Sequence, residues 1–128
     1  MRVEYTYAPT RTPVPCLPLV VTSLEDGTTS EEWLALVDTG ADRTVLPLSV
    51  VEQLRVAPFA TLRFEVGGGD VISLPVYRVW LTVSDFPPVP VEVAASAGEA
   101  NSPLGRDALN AYTAILNGPL GLIEIHDE

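Results

Sequence analysis

The chain has 128 residues, 47% of them apolar, and a mean hydropathy of +0.26, a composition that folds around one modest core. Seventeen acids against seven bases, every base an arginine, leave a formal charge of -10 and exclude nucleic-acid binding through phosphates, which needs clustered cations. A lone cysteine, Cys16, and a lone histidine, His126 near the C-terminus, exclude an internal disulfide, a zinc site of three or four ligands, and Ser-His-Asp or Cys-His catalysis.

No apolar stretch approaches the roughly 20 residues that span a bilayer. Residues 1–5 lack a hydrophobic signal core, so the expectation is a soluble, cytoplasmic protein with no membrane partner. Neither an internal repeat nor a linker interrupts the chain, and residues 1–128 are expected to form one domain.

Val3, Tyr5 and Tyr7 alternate with polar residues and predict a short strand with one buried face. Pro9, Pro13, Pro15 and Pro18 make the following segment extended, either an arm lying on another surface or a spacer, so that residues 1–16 read as a strand plus a proline-rich arm. Residues 19–24 predict a strand, Glu25-Asp26-Gly27 a turn, and residues 32–37 the returning strand of a hairpin. That strand is an apolar run, Leu34-Ala35-Leu36-Val37, and it delivers Asp38 into a tight Thr39-Gly40 turn. Burying an unpaired carboxylate costs several kcal/mol or shifts its pKa, so Asp38 must be satisfied or used.

Residues 48–55 have helical composition, with Pro47 suited to the start. Residues 61–66 alternate as a strand, Gly67-Gly68-Gly69-Asp70 forms a hairpin tip, and residues 71–74 and 76–83 return from it. The three glycines allow either an ordinary loose turn or a mobile tip over a cleft; without a following Gly-Lys-Ser/Thr they do not form a phosphate loop. Residues 85–90 predict a turn, 91–95 a strand, 96–102 a loop, 105–112 a helix, and 113–116 with 120–125 a closing hairpin. Short strands at regular spacing with brief helices imply a mainly-β fold, barrel or sandwich.

Two motifs and their spacing carry a resemblance to a known family. Asp38-Thr39-Gly40-Ala41-Asp42 with Thr44-Val45-Leu46, followed by Leu104-Gly105-Arg106-Asp107, resembles the signature of single-domain, retroviral-type (retropepsin-like) aspartic proteases. Gly67-Gly68-Gly69 falls where that family carries its flap. The resemblance implies a closed, barrel-like acid-protease half-fold with one short C-terminal helix and a glycine-tipped flap hairpin. It also implies an aspartic endopeptidase acting on peptide or protein substrates as a homodimer, with the active site on the two-fold axis and neither cofactor nor metal. Asp38, Thr39 and Gly40 would form the catalytic loop, with Thr39 bonding across the axis; Ala41, Asp42 and Gly67 to Gly69 would contact substrate. Gly105 and Arg106 would support the loop, with Arg106 pairing to Asp42. The alternative is a non-catalytic, protease-like module that dimerises and binds a peptide.

Three departures from the family pattern stand out. Pro103 replaces a branched apolar residue, which would alter packing beneath the loop, and the flap lacks both the longer viral glycine pattern and the pepsin-type tyrosine. The C-terminal extension through Asn117-Gly118-Pro119 is similar to the closing hairpin of pepsin-type lobes and of cellular or bacterial single-domain relatives. It implies a dimer interface built from different terminal strands than in viral enzymes.

Overall fold

A computed structural model describes residues 1–8, 11–65, 67–97 and 103–127. In chain order the elements are β1 (Arg2–Glu4), β2 (Thr6–Ala8), β3 (Arg11–Val14), β4 (Cys16–Ser23), β5 (Trp33–Val37), β6 (Val45–Pro47) and α1 (Leu48–Glu52). There follow β7 (Ala60–Glu65), β8 (Val71–Val83), β9 (Val89–Ser96), β10 (Pro103–Leu104), α2 (Arg106–Leu109), β11 (Thr113–Asn117) and β12 (Leu122–His126).

The main sheet has the order β10-β5-β4-β8-β9-β6, with β7 added to the outer half of β8. Strict alternation makes its core: Leu17, Leu19, Val21 and Ser23 of β4 are buried, as are Val79, Leu81 and Val83 of β8 and Val91, Val93 and Ala95 of β9. Leu46, Leu54, Leu104 and Leu109 pack into the same cluster from the sheet edges and helices. A separate sheet, β1-β12-β11, adds Ile123 and Ile125 to that core from β12. The fold is mainly β and nearly closed, because Thr44, just before edge strand β6, bonds to Gly105 and Asp107, just after edge strand β10.

The expected strands and hairpins are present, with five adjustments. The strand expected over Val3, Tyr5 and Tyr7 is broken at Tyr5 into β1, which pairs with β12, and β2, which pairs with β3, and Tyr7 is exposed instead of facing the core. The proline-rich stretch is not a free arm: β3 pairs with β2, and Cys16 and Leu17 are already buried in the main sheet. β8 runs unbroken through Pro75 because β9 begins to pair only at Val76, so the missing N–H breaks no ladder on that side. The helix expected over 105–112 stops at Leu109, since Ala111 and Tyr112 donate to Ala108 and Leu109 three residues back and tighten the chain into a turn. Parallel pairing of β6 with β9 and of β10 with β5 had no counterpart in the local pattern. The loop expected over 96–102 falls mostly outside the described residues.

Candidate active site

Asp38 follows the last residue of β5. Its backbone N–H donates to the Leu104 carbonyl (3.1 Å), which pins the loop to β10 as it leaves the sheet. Ala41 N–H donates back to the Asp38 carbonyl (3.2 Å), closing a four-residue turn, and Gly40 N–H donates to Asp38 Oδ1 (3.0 Å). A Cβ at Gly40 would stand 3.2 Å from that same oxygen, so any larger residue crowds the carboxylate. The Asp38 side chain is half-buried while Thr39 and Gly40 are exposed. Among the described residues, Oδ2 has no hydrogen-bond partner.

Helix α2 holds this turn from below. Arg106 donates its backbone N–H to the Ala41 carbonyl (2.9 Å) and its Nη1 to the Thr39 carbonyl (2.7 Å). Gly105 lies so close to the loop that a Cβ would meet the Arg43 carbonyl carbon at 2.8 Å and two carbonyl oxygens at 3.0 Å. Glycine is therefore required at 105 by contact and not by backbone angle.

Beneath the loop, Asp107 accepts three hydrogen bonds. Thr44 N–H reaches Oδ2 at 3.0 Å, and the Thr44 hydroxyl and Ala108 N–H reach Oδ1 at 2.6 and 2.9 Å. The Thr44 hydroxyl in turn accepts from Gly105 N–H (3.0 Å). Thr44 is 1% exposed and Asp107 half-buried, so the Thr44 side of the network is shielded from water and its bonds are strengthened there. Sequence reasoning assigned no role to Thr44 or Asp107, although both stand inside the two motifs. The available signal was an acid in the first turn of a helix, where it satisfies free N–H groups.

The expected Asp42–Arg106 ion pair is not formed. The guanidinium is committed to the Thr39 carbonyl, and Asp42 is exposed in a shallow polar recess with Arg43, Glu92 and Asp107. Pro103 is accommodated, pairing with Leu36 in β10. Gly67, Gly68 and Gly69 form the turn at the tip of the β7–β8 hairpin, away from the loop's own hydrogen bonds. Gly68 and Gly69 have φ of 84° and 82°, and Cβ atoms there would meet nothing within 4 Å. Among the described residues no group of three or more His, Cys, Asp or Glu could hold a metal ion.

The chain has a retropepsin-like fold. Among solved structures it is similar to the EIAV protease complexed with the inhibitor HBY-793, over 82% of this chain and 91% of that one, with a TM-score of 0.50. The two share 19% sequence identity, a level at which the likeness speaks to the fold. No family model and no curated protein sequence matches the chain.

Proposed function

We propose that the protein is an aspartic endopeptidase whose working site is a pair of Asp38 carboxylates, one from each subunit of a homodimer. The observation that carries this reading is the Asp38 turn: a half-buried carboxylate, fixed by Gly40 N–H and braced by Arg106, at an exposed Thr-Gly tip. A structural acid would be expected to have a basic partner, and the one arginine braced against this loop bonds the Thr39 carbonyl instead. Two such carboxylates a few Å apart cannot both ionise comfortably, so they share one proton and titrate as a unit. The ionised member takes a proton from a water held between them. The protonated member donates to the scissile carbonyl oxygen and stabilises the tetrahedral intermediate. No covalent intermediate forms.

Thr39 is suited to bonding across the two-fold axis, Ala41 and Asp42 to holding the substrate main chain, and Gly67, Gly68 and Gly69 to closing over it. The C-terminal hairpin supports placing the chain with cellular or bacterial single-domain relatives. The test is cleavage of a peptide library from acid to neutral pH, with and without a statine-type inhibitor. Asp38→Asn is expected to lose cleavage completely while keeping the circular dichroism and sedimentation of the native protein. Turnover retained in that variant overturns the reading. A verified dimer that cleaves nothing at any pH makes the fold a peptide-binding module instead.

A further inference from the structure

The turn that joins β11 to β12 carries chemistry that the candidate active site does not use. Asn117 ends β11 opposite Leu122, Gly118 and Pro119 follow on the surface, and Gly121 N–H donates to the Gly118 carbonyl (3.0 Å) to close the turn. An asparagine amide becomes an electrophile when the next backbone nitrogen can reach its Cγ, and a glycine there leaves that nitrogen unscreened because it has no Cβ. Asn117 Oδ1 accepts from Leu120 N–H (3.1 Å), which folds the side chain forward over the start of the turn and draws electron density from Cγ. Gly118 N–H donates to none of the described residues, so no hydrogen bond has to break before its nitrogen reacts. A Cβ at Gly118 would meet nothing within 4 Å, and the turn is open to water on that side.

Asn110, in contrast, is held out of this reaction. It caps α2 in a helical conformation (φ -65°, ψ -8°), and the next nitrogen, that of Ala111, is committed to the Ala108 carbonyl (3.1 Å). Ala111 also carries the Cβ that Gly118 lacks. The remaining asparagine, Asn101, lies outside the described residues.

We propose that Asn117 is a self-modification site, where the folded chain converts its own asparagine to a mixture of aspartate and isoaspartate. The Gly118 nitrogen bonds to Asn117 Cγ, and its proton passes through water to the side-chain amide nitrogen, which leaves as ammonia. The succinimide ring so formed then takes up one water. Hydrolysis of the Cγ–N bond leaves aspartate. Hydrolysis of the bond to the main-chain carbonyl carbon leaves isoaspartate, with the chain now running through Cβ and Cγ. Water is the only co-reactant. The isoaspartyl main chain is one atom longer, and the added length falls between the last rung of the β11–β12 ladder, Asn117 with Leu122, and the turn. Tyr5 N–H donates to the Gly121 carbonyl (2.8 Å) of that same turn, so the junction of β1 and β2 hangs on it. Isoaspartate therefore loosens the closing hairpin and the start of the chain together, and ties the age of the protein to the order of its terminal sheet. The inference stands apart from the dyad reading and survives its failure.

Ageing the full chain at mildly alkaline pH and physiological temperature, followed by peptide mapping, tests it. The peptide holding Asn117 is expected to gain one mass unit and to separate into two products, isoaspartate the more abundant, while the peptide holding Asn110 is unchanged. The native chain is expected to convert at a rate within about tenfold of the chain unfolded in guanidinium chloride. Gly118→Ala, which the open space accommodates, is expected to slow native conversion at least roughly tenfold at an unchanged urea midpoint. The isoaspartyl fraction is expected to show faster hydrogen exchange at the Tyr5 amide and a lower urea midpoint. An Asn117 that persists in the native chain while it converts in the unfolded one is shielded by the fold, and overturns the proposal; so does conversion of Asn110 ahead of it. An isoaspartyl chain with native Tyr5 exchange and a native urea midpoint overturns the link to the terminal sheet.

Discussion

Thr44 illustrates what a single residue does beneath this site. Its hydroxyl donates to Asp107 and accepts from Gly105, and its N–H donates to the same carboxylate, with Thr44 itself out of contact with water. Thr44→Val keeps the shape and removes the hydroxyl, leaving Gly105 N–H without its acceptor and Asp107 Oδ1 with Ala108 N–H alone. The expected cost is about 2–3 kcal/mol, read as a lower urea midpoint at unchanged m-value. Asp38 was legible in the sequence because its signal is local, an apolar run ending in an acid and a Thr-Gly turn. The role of Thr44 was not, although it stands inside the first motif, because its partners lie 61 and 63 residues away. The Asp42–Arg106 pair failed for a related reason: spacing brings the two elements together, but only the geometry decides which acceptor the guanidinium takes.

At the scale of the element, hairpins were readable and parallel pairs were not. β4–β5, β7–β8 and β11–β12 announce themselves through turn residues between alternating runs. β6 and β10 are three and two residues long and pair in parallel with distant strands, so they carry too little pattern to stand out. The β7–β8 hairpin carries its own prediction. Gly68 sits at positive φ with open space around it, so Gly68→Ala costs about 1–2 kcal/mol of local backbone strain and meets no steric clash. Because that strain is carried by the folded state, the thermal midpoint is expected to fall by a few degrees and, on the proposed flap role, kcat/KM for peptide cleavage to fall with it.

For the whole molecule, the composition and strand spacing already pointed to a mainly-β barrel or sandwich, and the near-closed arrangement follows from contacts that no local window contains. Global stability carries a pH signature at Tyr112. Burial, reinforced by the charge of Asp127, raises its phenol above the ordinary value of 10.0. The folded state thus holds a proton that the unfolded state releases first. That contribution is complete below pH 10 and is lost as pH rises through the folded value. Tyr112→Phe is expected to flatten the alkaline limb of urea-unfolding stability between pH 9 and 11 relative to the native chain (about the range where tyrosine titrates). The same limb in both proteins contradicts it.

The closure of the main sheet through residues 44 and 104–107 has a consequence in time. Bringing segments some 60 residues apart together requires closing a large loop, which is entropically unfavourable until the intervening strands have formed. The turn's own hydrogen bonds are local, but its brace by Leu104 and Arg106 is expected to form late, once residues 104–106 have docked. On the proposed dyad reading, a nascent or partly unfolded chain, whose own backbone is the nearest extended peptide, does not yet hold the Asp38 carboxylate braced.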